Sequence, residues 1–182
     1  MFEFREYKGR ELLIIKDAQL LSRPYRNFEG KTSDYNPTGT REFGVVIEDP
    51  ELAQQMAEGL WNVKTITNRD GREFLGGIKC GGEDLHWIKI KVKYKDKRGE
   101  RLTPPNILIR TENNEQSFGE DDLKDLDGAD LMNVQLKINV DHQVINGKPI
   151  TIGYLSAMRA TMIDDDYWFG TPSDDSTPFD IE

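Results

Sequence analysis

The stretch Leu85–Lys95 reads Leu-His-Trp-Ile-Lys-Ile-Lys-Val-Lys-Tyr-Lys, with apolar and polar residues in strict alternation. A period of two belongs to a half-buried strand, whose successive side chains point to opposite faces. Ile88, Ile90, Val92 and Tyr94 are expected in a core, and Trp87, Lys89, Lys91, Lys93 and Lys95 in water. Four ammonium groups on one face repel each other unless something negative lies across them. Cations for phosphates and a flat ring for bases are what a protein surface offers a single-stranded nucleic acid. The competing reading is a solvated edge strand, since lysines also blunt edge-to-edge pairing.

Two further groups have the same chemistry. Tyr25, Arg26, Phe28, Lys31, Tyr35, Arg41 and Phe43 interleave rings and cations along and beside a long loop, as base stacking and phosphate contact require. Phe28 and Phe43 also read as core, Phe43 more so because it falls inside a strand. Trp61 stands with Lys64 just after a helix end, where an indole usually plugs a core. A basic loop with Lys95, Lys97, Arg98 and Arg101 follows the lysine strand.

Catalytic chemistry is poorly represented. His86 and His142 are the only histidines and Cys80 the only thiol, with no CxxC or HxxxH spacing for zinc. Asp121-Asp122 and Asp164-Asp165-Asp166 could hold Mg²⁺ in a nuclease, but adjacent carboxylates in polar segments usually remain solvated. No phosphate-binding or nucleophile-elbow motif occurs. The expectation is a binding protein without enzymatic activity, metal or cofactor.

The net charge of −9 argues at first against a polyanionic partner, but its distribution does not. Asp164–Glu182 holds seven acidic residues and no Lys or Arg, and Glu112–Asp130 holds eight with one lysine. Without these segments 23 basic residues face 18 acidic ones, a net of +5 on the remaining body. A single cysteine, no apolar leader and no membrane-length apolar run suggest a cytoplasmic protein without membrane contact.

These groups need strands to position them. Leu12–Leu21, Arg41–Glu48, Trp61–Thr67, Asn106–Thr111, Val134–Val140 and Ile150–Met162 read as extended, with Asn146-Gly147 as a hairpin turn. Asp49-Pro50 is a helix start, with Leu52, Ala53, Met56, Ala57 and Leu60 at helical spacing and a stop at Gly59. A short acidic helix is expected over Glu120–Leu126, a turn over Asn68–Gly71 and a glycine-rich bend over Phe74–Gly82. The sum is an all-β fold with one or two short helices. A Greek-key oligonucleotide-binding (OB) barrel over 1–163 accommodates it, and a β-sandwich is the alternative. Residues 164–182 are expected to form a disordered acidic tail. Its end carries Asp174, Asp175, Phe179, Asp180 and Ile181, and could compete for the basic face or dock on another protein.

The string Asn27-Phe28-x-Gly30-x₄-Tyr35-Asn36-x₂-Gly39-x-Arg41-x-Phe43-x-Val45-Val46-Ile47, then Trp61-Asn62-Val63-Lys64, resembles phage-encoded single-stranded-DNA-binding proteins. Val134–Ile138, Asn146-Gly147 and Tyr154-Leu155-x₂-Met158 are similar in order and spacing. The resemblance implies an OB barrel, a role in replication or recombination and no catalysis. It assigns no DNA-contacting residue. Tails in that family commonly end at or beside a terminal Phe, whereas Phe179 here precedes Asp180-Ile181-Glu182. The expected partners are single-stranded DNA and, through the tail, replication or recombination proteins, with self-association open. The alternatives are an acidic DNA mimic or inhibitor and a Mg²⁺-dependent nuclease.

Overall fold

The computed structural model describes residues 1–67, 73–74, 78–79, 84–112 and 114–163. Among them the strands are β1 (Phe2–Tyr7), β2 (Arg10–Ile15), β3 (Arg26–Asn27), β4 (Arg41–Ile47), β5 (Lys64–Ile66), β6 (Glu73–Phe74), β7 (Ile78–Lys79), β8 (Leu85–Val92), β9 (Asn106–Arg110), β10 (Glu115–Phe118), β11 (Asp130–Ile145) and β12 (Lys148–Ile163). Helix α1 spans Pro50–Glu58 and a 3-10 turn spans Leu123–Leu126. The expected tail and the turn at Asn68–Gly71 lie outside the described residues. So does most of the bend expected at Phe74–Gly82, apart from strand residues of the β6–β7 pair.

Five strands form a ring. β2 pairs antiparallel with β11, which pairs along its length with β12. β12 lies parallel to β8, with Gly153 beside Ile90, and β8 pairs antiparallel with β4. The chain running on from β2 then meets the far edge of β4. The Leu21 N–H donates to the Gly44 carbonyl at 2.9 Å, and the Val46 N–H donates to the Gln19 carbonyl at 2.9 Å. With that contact the sheet closes on itself, which a sandwich of two sheets does not do. Five strands with one parallel pair in this order make the OB barrel.

Alternation fills the interior. Leu13, Ile15, Phe43, Val45, Ile47, Ile88, Ile90, Val92, Leu136, Ile138, Leu155 and Met158 belong to one buried cluster. Gly153 permits its tightest packing, since a Cβ there would lie 2.8 Å from Ile90 and 3.1 Å from the Trp61 ring. Helix α1 starts as its sequence dictates. The Asp49 carboxylate accepts from the Glu51 N–H at 2.9 Å, proline fills the first turn and Gly59 caps the end. Asn146 and Gly147 take φ of 52° and 74°, the positive pair that a two-residue hairpin turn demands.

The acidic stretch Glu112–Asp130 is no detached segment. It contributes β10, the 3-10 turn and the start of β11. The buried Asp127 carboxylate accepts from the backbone N–H groups of Phe28 at 2.6 Å and Glu29 at 3.0 Å.

Candidate nucleic-acid interface

The face in question is the outer surface of β4 and β8. Directly opposed residues share a face, so Glu42 with Lys91, Gly44 with Lys89, and Val46 with Trp87 all point outward. Tyr154 of β12 lies beside Lys91 on the same side. Lys93, just past β8, holds its ammonium 4.5 Å from the Tyr154 ring centroid and 3.3 Å from its hydroxyl, which Gln143 also reaches at 3.2 Å. Among the described residues no carboxylate lies within ion-pair distance of Lys91 or Lys93, whereas Lys89 is paired with Glu42.

One half of this face is closed, contrary to the expectation for Trp87. Trp87 is 3% exposed and packs with Leu21, Val46 and Leu85 in a second, smaller core, flanked by Tyr25 and Ile66. The parity was right, but the chain before β3 folds over that end of the face, and β5, paired along the edge of β8, adds Ile66 beside it. Gly44 makes the room, because a Cβ there would lie 2.8 Å from Leu21 and 3.0 Å from the indole. Tyr25 sets its ring edge-on to Trp87 at 5.0 Å, and the Lys64 ammonium lies 5.6 Å above the indole.

Three other predicted contact residues are also spent on the fold. Phe28 is fully buried and stacks on Phe43 at 4.8 Å. Trp61 is 7% exposed and belongs to the barrel core. Arg26 is buried, and its guanidinium donates to the carbonyls of Leu21 at 3.0 Å, Ala129 at 2.7 Å and Leu126 at 3.3 Å. Burial pushes its pKa down, opposed by the charges of Asp127 and Asp130. It ties β3 to the start of β11 as a structural cation. Interleaved rings and cations look the same in sequence whether they line a ligand surface or a barrel end.

Two loops border the open half. The loop 28–40 precedes β4 and the loop 93–105 follows β8. Because these strands are antiparallel, both loops lie at the same end of the barrel. Arg41 donates to Glu120 at 2.8 Å and Arg101 approaches the same carboxylate at 3.9 Å, so the two loops converge on one acidic residue. Arg41 also lies over the buried Tyr94 ring at 5.5 Å. Lys95 and Arg101 bridge the base of the second loop. The Asp96 carboxylate accepts from the N–H groups of Arg98 and Glu100 and shapes its turn. Lys95, Lys97, Arg98 and Arg101 are exposed, as are Lys31 and Tyr35 in the first loop.

The arrangement offers ammonium and guanidinium groups around a half-buried tyrosine, on the strand face that OB barrels use for oligonucleotides. A family profile described as "Putative phage ssDNA-binding domain" matches residues 4–169. The chain belongs to this family.

Among curated protein sequences none matches the chain. Among solved structures it is similar to the single-stranded-DNA-binding protein of bacteriophage Enc34 in a C-terminally truncated form. That match has 10% identity, 88% of this chain, 94% of that one and a TM-score of 0.48. It is also similar to gp2.5, the single-stranded-DNA-binding protein of bacteriophage T7, with 10% identity, 94% and 100% of the chains and a TM-score of 0.41.

In this phage single-stranded-DNA-binding protein, sequence reasoning missed Tyr154 as a member of the face. Its place depends on the parallel β8–β12 pairing between residues 63 apart, which no local pattern announces. Tyr154 also lines a groove of about 870 Å³ between the first hairpin and β11, with Phe4, Arg5, Arg10, Asn139 and His142. Of the aspartates weighed for Mg²⁺, Asp121 is exposed. Asp122 accepts from the Gly119 N–H at 2.8 Å, and Asp164, Asp165 and Asp166 lie outside the described residues. Among the described residues no group of three or more His, Cys, Asp or Glu gathers as a metal site.

Proposed function

We propose that the protein coats single-stranded DNA without strong sequence preference, in the cytoplasm of the infected cell, during replication or recombination. The observation that carries this reading is the half-buried row of Lys91, Lys93 and Tyr154, two cations with no ion pair among the described residues and a ring, on the β4–β8 side of an OB barrel. The strand crosses that row and is held at one end by Lys31, Lys95, Lys97, Arg98 and Arg101. Lys64, with Tyr25 beside it, borders the closed end. Ammonium and guanidinium groups neutralise phosphates and displace counterions, while rings meet bases of any identity. Backbone contact and stacking favour no sequence strongly. The reaction is association alone, with no bond made or broken.

The acidic residues 164–182 are assigned a second task. Seven carboxylates without a cation can occupy the basic row when DNA is absent. When DNA takes their place, the Asp174–Ile181 end, with its Phe179, is released for a replication or recombination partner.

The test is a fluorescence titration of labelled oligo(dT) at low and high salt, with and without Mg²⁺. Tight binding that weakens with salt and leaves the oligonucleotide intact is expected. No binding at low salt would turn the reading toward an acidic inhibitor, and Mg²⁺-dependent cutting toward a nuclease.

A further inference from the structure

The loop 28–40 is more ordered than its exposure requires. The Asn27 carboxamide accepts from the N–H groups of Gly30 at 3.0 Å and Lys31 at 2.8 Å, and donates to the Lys31 carbonyl at 2.9 Å. Asn36 repeats the device from the other side. It accepts from the Thr40 N–H at 3.0 Å and donates to the Thr40 carbonyl at 2.8 Å. Ser33 and Asn36 exchange backbone hydrogen bonds of 3.1 and 3.0 Å, which leaves Asp34-Tyr35 as a two-residue turn. Gly30 and Gly39 sit back to back at φ of 78° and 65°. A Cβ on Gly39 would fall 2.6 Å from the Gly30 carbonyl oxygen, and one on Gly30 would fall 2.9 Å from that of Gly39. Neither backbone will accept a side chain there.

At the tip of this braced loop, Tyr35 is 100% exposed. A tyrosine held in water by a network of side-chain-to-backbone bonds contributes nothing to the core. Exposed at that end are the cations Lys95, Lys97 and Arg98, with Lys31 near Glu29 at 3.5 Å and Arg101 near Glu120 at 3.9 Å, a set that suits a polyanion rather than an apolar protein patch. An aromatic residue whose backbone is fixed in advance by a braced turn loses less conformational freedom when it binds, so more of its contact energy survives as affinity.

We propose that the Ser33–Asn36 turn is a preformed prong that stacks Tyr35 on one base of the bound strand, with Asn27 and Asn36 as positioning residues. The inference rests on the single-stranded-DNA reading above and adds to it which ring takes a base and what holds that ring. Because the side chain touches no core, Tyr35→Ala leaves the fold intact.

The experiment titrates the full chain and its Tyr35→Ala, Tyr35→Phe and Asn36→Ala variants with oligo(dT) at several salt concentrations. It also photocrosslinks them to an oligonucleotide containing 5-iododeoxyuridine and maps the adduct by mass spectrometry. Tyr35→Ala should weaken binding roughly 5- to 100-fold with the salt slope unchanged, since a ring and not a charge is lost. Tyr35→Phe should bind as the parent does. Asn36→Ala should lower both affinity and crosslink yield at Tyr35 while the thermal midpoint of the barrel shifts by only a few degrees. Parental affinity in Tyr35→Ala, or an adduct that maps elsewhere, would overturn the prong while leaving the lysine row in place. Failure of the parent chain to bind would strike at the function itself.

Discussion

Charge reversal at neighbouring lysines should give unequal results, because their partners differ. Lys91→Glu and Lys93→Glu each remove a cation unpaired among the described residues. Each should weaken oligo(dT) binding and lower the magnitude of the logarithmic salt slope by about 0.7, the share of one phosphate contact. Lys89→Glu should lower the slope less, since Glu42 already holds that ammonium. A titration across NaCl concentrations reads both quantities, and equal slopes for all three variants would remove the row from the binding site. Tyr94 supplies a pH test. Burial, its largest influence, pushes the Tyr94 phenol above the ordinary tyrosine range, opposed by the Arg41 charge and seconded by Glu120 and Asp122. The unfolded chain then loses this proton first as pH rises. Stability from the group is complete below about pH 10 and drains away as pH climbs toward the folded value. Alkaline titration followed by tyrosine absorbance should show one phenol ionising late, and Tyr94→Phe should abolish that late step. At this scale the sequence was legible in parity and silent on cover. Alternation placed Ile88, Ile90, Val92 and Tyr94 inside correctly. It could not show that Leu21 and Tyr25 would roll over the outward Trp87, because those contacts come from a segment about 60 residues earlier.

Among the elements, those announced by local chemistry appeared where their signals stand. The Asp49-Pro50 start and the Asn146-Gly147 turn each rest on a backbone demand that few residues satisfy, whereas the helix ends at Gly59 with an ordinary φ of −76° and Leu60 takes the left-handed one at 67°. β1 and β10 carry no such signal. β1 exposes most of its length and β10 all but Phe118, so neither shows a buried stripe. Ring closure was equally hidden, since hydrogen bonds between residues 19–21 and β4 follow from global geometry. Asp127 joins two elements and offers a stability test. Its carboxylate caps two backbone donors and supplies a counter-charge near buried Arg26. Asp127→Ala strands those groups and should destabilise the fold by about 3 kcal/mol, the usual cost of breaking a buried charged network. Urea denaturation measures this, and a loss below about 1 kcal/mol would show that water replaces the carboxylate readily.

For the molecule as a whole, charge is partitioned along the chain. A body of net +5 outside the two acidic segments adjoins a stretch, 164–182, whose seven carboxylates have no cation among them. Removing that stretch should raise affinity for oligo(dT) several-fold at low salt and have little effect at high salt, where such interactions are screened. Calorimetric or fluorescence titration of the truncated chain checks this, and unchanged affinity would end the self-competition idea. The barrel's closure also sets a timetable. Leu12–Ile15 must wait for Leu136–Asn139, more than 120 residues further on, before their edge is satisfied. On a ribosome adding about 5–20 residues each second, that is several seconds in which an early, oily ribbon stands without its neighbour. Contacts so distant in sequence slow folding into the millisecond-to-second range even in a free chain. The ribbon therefore depends on one that emerges more than 120 residues after it. A nascent copy should be a client for chaperones until β11 arrives.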